Sequence, residues 1–188
     1  FITPVQLNDS TADFEIADDE QFKSYEVQVP YQQVNHLKAV LNNSFIVGDG
    51  SLKASVGWQQ NKRKEFGNIL SPDDYELFFL LNTINYDFKY IFPESNGFHF
   101  TVGVNGMMQN SQNKGTEFLV PEYDLFDIGA FGVARKSIDR LDISFGLRYD
   151  TRTENGSELY LDSEGNQTNA SEPGAIEKFP EFNSDFGG

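Results

Sequence analysis

The stretch RLDISFGLRYD, Arg140 to Asp150, decides the fold. Its odd-numbered positions from Leu141 to Tyr149 are all apolar, and its even-numbered positions from Asp142 onward are polar or glycine. A β-strand points successive side chains to opposite faces, whereas a helix would scatter these residues around its axis. The stretch therefore predicts a strand with one apolar face that packs against an apolar partner.

Five more stretches alternate with the same period of two. The six predicted strands are 34–47, 51–64, 75–92, 98–110, 125–134 and 140–150. Short polar turns are predicted at Gly48–Gly50, Glu94–Gly97 and Lys136–Asp139, and longer connections alternate with them. Alternating short and long connections are typical of a transmembrane barrel. The pattern predicts an all-β fold, an antiparallel up-and-down meander of about six strands.

One predicted strand, 125–134, alternates poorly. Phe126, Ile128 and Ala130 share a face with Ala134, but Phe131 and Val133 lie on the other face. The sequence alone does not say which of these faces would meet lipid and which a lumen.

The chain divides into three parts. Residues 1–29 are rich in Asp and Glu and predict an extracellular-type loop with a short strand at Tyr25–Val29, and residues 30–152 hold six barrel strands in three hairpins. Residues 153–188 predict a long polar extracellular-type loop with a small hairpin around Leu159–Gln167. Six strands are fewer than the eight or so of the smallest membrane barrels. We therefore expect a fragment of a larger barrel, cut at both ends.

Composition narrows the function classes. The 188 residues include 18 Phe and 8 Tyr but no Cys, which excludes disulfides, thiolate metal sites and cysteine nucleophiles. With 29 Asp and Glu against 14 Lys and Arg, the formal net charge is −15. A nucleic-acid partner is not expected, because binding a phosphate backbone requires a cationic face. No apolar run approaches the length of about 20 residues that a membrane helix needs.

Alternation does not say which face lies inside a barrel. The aromatic run Tyr86, Phe88, Tyr90 and Phe92 resembles an interfacial girdle, and the long strands and polar second face also favour a membrane barrel. Two alternatives remain open. One is a soluble up-and-down barrel that binds a lipophilic ligand. The other is an outer-membrane barrel enzyme with His99 beside Asp87 or Asp142 and Ser144, although no nucleophile motif surrounds these residues and we expect no enzyme.

Several segments, in order, resemble the middle barrel of TonB-dependent outer-membrane receptors, especially those of Bacteroidetes-type bacteria. They are PYQQVNH at 30–36, GWQQNKRKEF at 57–66, LNT at 81–83, QN at 109–110, FLVPEY at 118–123, GAF at 129–131 and GLRYD at 146–150. The resemblance covers residues 30 to 152.

The resemblance implies a barrel of about 22 strands in the outer membrane of a Gram-negative bacterium. It further implies an active transporter that imports a scarce, bulky nutrient such as a ferric siderophore, haem or a similar chelate. Its partners would be outer-membrane lipid, a plug domain of the same full-length chain, the chelate ligand, and the TonB complex through parts absent here. No resident cofactor is implied.

Candidate ligand-binding residues are polar side chains expected near the long-loop ends of the strands, where a lumen would open outward. They are Gln59, Asn61, Arg63, Gln109, Arg148 and Arg152. The alternative is that they fill the lumen or bond to the plug. His36 and His99 are too few for a zinc site, and we expect no metal ligands or catalytic residues among the candidates. The segment 162–166 spaces oxygen ligands as calcium loops do, or forms a solvated turn.

Overall fold

A computed structural model describes residues 2–8, 11–25 and 27–188. In chain order the elements are β1 (Ile2–Asn8), β2 (Thr11–Ile16), α1 (Asp19–Lys23), β3 (Tyr31–Val47), β4 (Gly50–Phe66), β5 (Leu77–Ile91), β6 (Phe98–Asn113), β7 (Tyr123–Ile138), β8 (Leu141–Gly156), β9 (Leu159–Leu161), β10 (Gln167–Thr168), β11 (Ile176–Phe179) and β12 (Phe182–Gly187). The fold is all-β, as the alternation predicts.

The main sheet has seven antiparallel strands in the order β3, β4, β5, β6, β7, β8, β12. The meander is therefore confirmed, and the predicted count of about six strands becomes seven. The extra strand, β12, pairs with β8 from Phe182 opposite Gly156 to Gly187 opposite Thr151. Its sequence, FNSDFG, has no steady alternation, and it falls within the 153–188 segment that the sequence predicts as a loop.

The short connections lie at one end of the strands, here called the turn end, and the long ones at the opposite loop end. At the turn end, Asn96 and Gly97 have φ values of 50° and 73°, as a two-residue hairpin turn requires. The third turn lies at 139–140 and not at Lys136–Asp139, because β7 continues to Ile138, which pairs with Leu141. Asp139 adopts a φ of 50°, which an aspartate tolerates better than most residues.

The terminal segments also differ from the prediction. The N-terminal segment contains the β1–β2 hairpin and the short helix α1, and the described residues of 25–29 form no strand. Asp18 caps α1 by accepting hydrogen bonds from the backbone N–H groups of Glu20 and Gln21. The predicted small hairpin near 159–167 is confirmed, since β9 pairs with β10 and also with β11.

The register places most apolar positions of β3 to β8 on one side of the sheet, the apolar face. One row that crosses these six strands reads Phe45, Leu52, Tyr90, Val102, Gly132, Leu147. No other element of the described chain covers this face, because Leu41, Phe145 and Leu147 are 64%, 62% and 68% exposed. The buried apolar side chains Val29, Phe66, Leu77, Leu125 and Leu159 lie near the loop end and form no core beneath the sheet.

Candidate functional site

The opposite side of the sheet, the polar face, carries a cluster of charged and amide side chains on β6, β7 and β8. We call Asn105, Asp127, Arg148, Asp150 and Arg152 the arginine cluster. The register brings them together, because Asp127 lies directly opposite Arg152, and Asn105 and Asp150 flank the same residue of β7. All five side chains leave the sheet on one side, since paired positions in an antiparallel sheet share a face.

Arg152 and Asp127 form a two-pronged ion pair. The Arg152 Nε donates to Asp127 Oδ1 at 2.6 Å, and Nη2 donates to Oδ2 at 2.7 Å. This fork geometry fixes the guanidinium plane as well as its position. About half of the Arg152 side chain stays exposed, so the pair holds the arginine in place without burying it.

Arg148 leans toward the loop end to reach Asp150 and Asn105. Its Nε donates to Asp150 Oδ2 at 2.6 Å, and its Nη2 donates to Asn105 Oδ1 at 2.8 Å. Gly129 of β7 lies between Asn105 of β6 and Asp150 of β8, and its lack of a side chain leaves room for the Arg148 guanidinium. A Cβ at Gly129 would overlap Asp150 Oδ1 and lie 2.6 Å from Arg148 Nη2.

A cavity of about 680 Å³ lies over the arginine cluster and is also lined by Glu154 and Phe186. Each guanidinium has five N–H donors and uses only some of them within the cluster. Arg148 and Arg152 both line the cavity, so donors that they do not use within the cluster can bind an acceptor-rich ligand or a polar protein segment. The cluster offers hydrogen bonding and charge for binding, and it holds no serine or cysteine nucleophile.

All six predicted ligand-binding residues lie on the polar face, but only two of them share the cavity. Arg148 and Arg152 line it, whereas Gln59, Asn61 and Arg63 lie on β4. Four strand spacings of about 4.8 Å separate β4 from β8, which amounts to about 19 Å. The structure therefore does not bring the six residues into one site.

Three of the four remaining predicted residues have side-chain partners of their own. Asn61 Nδ2 lies 3.1 Å from His36 Nδ1, and Arg63 pairs with Glu65. Gln109 donates to the buried hydroxyl of Thr83 at 3.0 Å and accepts from the Tyr123 hydroxyl at 2.9 Å. Gln59 lies on β4 directly opposite Thr83.

The residues considered for an acid–base pair contact other groups. The Asp142 carboxylate accepts from the Ser137 hydroxyl at 2.6 Å and from Arg135 Nη2 at 3.0 Å. His99 Nε2 lies 3.6 Å from Glu94 Oε2. Within the described chain, no three His, Asp or Glu side chains are grouped as a metal site would need.

The turn at 162–166 is closed by its own backbone. The Asp162 Oδ1 accepts hydrogen bonds from the N–H groups of Asn166 and Glu164, both at 2.9 Å, and these bonds hold the pKa of Asp162 below its usual range. Gly165 adopts a φ of 86°, which completes the turn. The carboxylate is thus engaged by the loop itself.

Sequence reasoning missed the three residues of the arginine cluster that accept hydrogen bonds from the arginines. Asp127, Asp150 and Asn105 have the polar-face parity of their strands, but parity does not say which residues are neighbours across strands. The strand register supplies that information, and it depends on the turn lengths. Gly129 did not identify the cluster either. A glycine in a strand indicates that another group comes close, but it does not show which group that is.

No protein-family model, curated protein or solved structure matches this chain. Among the described residues, no helix is both long enough and apolar enough to cross a membrane.

Proposed function

We propose that this chain is part of the wall of a large transmembrane β-barrel in an outer membrane. In this proposal the apolar face of β3 to β8 contacts lipid, and the polar face lines a water-filled lumen. The single observation that carries it is the apolar face itself, which crosses six strands and has no partner in the described chain. Monomeric soluble proteins rarely expose apolar patches of more than a few hundred Å².

The height of the apolar face supports a bilayer as its neighbour. On β6, apolar side chains run from Phe98 to Met108. Ten steps of about 3.4 Å give about 34 Å along the strand, and a barrel tilt of about 40° reduces this to about 26 Å along the membrane normal. Lipid-facing bands of outer-membrane barrels are about 25 Å tall.

The two open edges of the sheet support closure by further strands. β3 and β12 are edge strands, and β3 presents seventeen residues of backbone without an outer partner in the described sheet. Long free edges are a liability that barrels remove by closing. Seven strands would form about a third of the 22-stranded barrel that the resemblance implies.

The resemblance supports the class of barrel. We infer a TonB-dependent outer-membrane receptor of Bacteroidetes type that imports a bulky chelate such as a ferric siderophore or haem. A plug domain of the same full-length chain and the TonB complex would be its partners, and the barrel itself would not be an enzyme. The arginine cluster, with donors facing a cavity on the lumen side, would contact the plug or the chelate.

The lipid-facing assignment is tested on the 188-residue chain by sedimentation in plain buffer and in detergent. An apolar face that needs lipid predicts self-association in buffer and one defined protein–detergent species in micelles. A monomer that stays dispersed in buffer and binds no detergent would favour the soluble barrel with its apolar face inward. The family is tested by reading the gene on both sides, where a plug domain is expected upstream.

A further inference from the structure

The chain contains three Asn–Gly pairs, a dipeptide that is prone to spontaneous deamidation. The pairs begin at Asn96, Asn105 and Asn155. In this reaction the backbone nitrogen of the glycine attacks the side-chain carbonyl carbon of the asparagine. Glycine hinders the attack least, because it has no side chain and allows a close approach of the backbone. The sequence alone does not distinguish the three pairs, but their surroundings in the structure differ.

Two of the pairs lie inside the main sheet. The pair at Asn105 belongs to β6 and the pair at Asn155 to β8, and both have a paired strand on each side. Their side chains are engaged as well, since Asn105 Oδ1 accepts from Arg148 Nη2 at 2.8 Å and Asn155 Oδ1 accepts from Asn183 Nδ2 at 2.7 Å. Attack would require the backbone to leave the ladder and the side chain to lose its hydrogen bond. The fold therefore protects these two asparagines.

The third pair, Asn96–Gly97, forms the tip of the hairpin between β5 and β6. It lies outside both strands, and Asn96 is exposed to solvent. The flanking residues Ser95 and Phe98 exchange backbone hydrogen bonds of 3.2 and 2.9 Å. Among the residues that the structure describes, none accepts a hydrogen bond from the Gly97 N–H, and none bonds to the Asn96 carboxamide. The attacking nitrogen and the group that it attacks are thus both unengaged.

A lysine contacts the peptide unit of this pair. Lys136 lies opposite Phe98 in the sheet, and its Nζ lies 4.1 Å from the centroid of the Phe98 ring and donates to the carbonyl oxygen of Asn96. That carbonyl belongs to the same peptide unit as the Gly97 nitrogen. When the nitrogen loses its proton, the negative charge is shared with the carbonyl oxygen, where the ammonium stabilises it. Lys136 thus favours the attacking form of the nitrogen.

The position of the pair also allows the movement that the attack needs. Because the Asn96–Gly97 peptide lies outside the ladder, it can rotate toward the Asn96 side chain without breaking a strand pairing. The flexible four-carbon stem of Lys136 lets the ammonium follow the carbonyl during this rotation.

We propose that Asn96 is a site of spontaneous deamidation and that Lys136 promotes the reaction. The Gly97 nitrogen gives its proton to a base in the solvent and bonds to Asn96 Cγ, while the Cγ–Nδ2 bond breaks and Nδ2 leaves as ammonia with a proton from water. The resulting succinimide takes up one water, which breaks one of the two bonds from the ring nitrogen to a carbonyl carbon. Breaking the bond to Cγ leaves aspartate, and breaking the bond to the backbone carbonyl carbon leaves isoaspartate. This inference does not depend on the proposed membrane barrel.

Both products change the hairpin tip. Each places a carboxylate at position 96, close to the Lys136 ammonium, in a turn where the asparagine was neutral. Isoaspartate also adds one CH₂ group to the backbone, and a two-residue turn fixes the register of its strands through its length.

The site is tested by incubating the folded 188-residue chain at mildly alkaline pH. Peptide mass spectrometry follows the replacement of NH₂ by OH at each of the three asparagines, and an isoaspartate methyltransferase labels the isomerised product. Asn96 should react while Asn105 and Asn155 stay intact, and all three should react in denaturant. An intact Asn96 in the folded chain, or reaction at Asn105 or Asn155 as fast as at Asn96, would overturn the proposal.

The role of Lys136 is tested with the K136Q variant, whose rate at Asn96 in the folded chain is divided by its rate in denaturant. This ratio should fall by about twofold to fivefold, as expected for an exposed charge contact. K136R keeps a cation and should retain most of the ratio. K89Q removes the same charge from the polar face of β5, near the same turn, and should leave the ratio unchanged. An unchanged or higher ratio in K136Q, or an equal fall in K89Q, would show that Lys136 does not promote the reaction.

Discussion

Replacing Phe145 with arginine tests which face meets lipid. Phe145 lies in the middle of the apolar positions of β8 and is 62% exposed, so nothing in the described chain shields a charge placed there. An arginine at the midplane of a barrel's lipid face costs about 2 to 4 kcal/mol. Because about 1.4 kcal/mol corresponds to a factor of ten, the folding equilibrium should fall by about 30-fold to 700-fold.

The matched control is Ser144→Arg on the opposite face of the same strand. Ser144 pairs with Arg135, and like charges directly opposite each other cost about 0.2 to 1 kcal/mol. Asp142, two positions away on that face, can offset part of this repulsion. F145R should therefore destabilise the protein by at least about 1 kcal/mol more than S144R.

The assay counts folded, heat-modifiable protein in outer membranes after expression of each variant in the full-length protein that the gene encodes. Much less folded F145R than S144R is expected. Equal yields, or a lower yield of S144R, would show that the apolar face is interior and would favour the soluble ligand-binding barrel.

Two further predictions concern Gly129 on the polar face and the turn at 162–166. Gly129→Ala should lower the free energy of unfolding by about 1 to 3 kcal/mol, because its methyl group would displace Asp150, whereas Gly132→Ala, with open space at its Cβ, should cost less than about 1 kcal/mol. Comparable denaturant midpoints for the two variants would show that the arginine cluster adjusts freely. The depressed pKa of Asp162 predicts that the turn is stable above the unfolded pKa of about 3.9 and loosens as the pH falls through the lower folded value. The amide resonance of Glu164 should report this loosening in an NMR titration, and a similar titration in Asp162→Asn would count against it.

Much of the main sheet could be predicted because alternation is a local property. The strand β8 shows this, since its parity alone separates Phe145 from Ser144. On β7, the split of Ile128 and Phe131 between the two faces is also confirmed. Its physical reason is not local, because the Phe131 ring occupies the space that a Cβ at Gly103 of the neighbouring strand would need.

The strand β12 could not be predicted because the contacts that stabilise it are made with the neighbouring strand β8. Phe182 packs its ring where a Cβ of Gly156 would be, and Asn183 donates to Asn155 at 2.7 Å. Neither contact leaves a period in the sequence. The arginine cluster could be predicted only in part for the same reason. Arg148 and Arg152 could be chosen by residue type, but the pairing of Arg152 with Asp127 depends on the strand register.

In the proposed membrane barrel, Tyr86 would place a phenol at the depth of the hydrocarbon. Its ring lies over Gly106 on the apolar face, and its hydroxyl donates to the backbone carbonyl of Asp127 at 2.7 Å. Tyr90 likewise donates to the carbonyl of Val47 at 2.9 Å. With their O–H donors satisfied inside the sheet, these rings expose mainly carbon to their surroundings. A tyrosine whose hydroxyl is bonded within the sheet does not need to lie at the interface with water. The positions of Tyr86 and Tyr90 therefore do not indicate where a membrane surface would be.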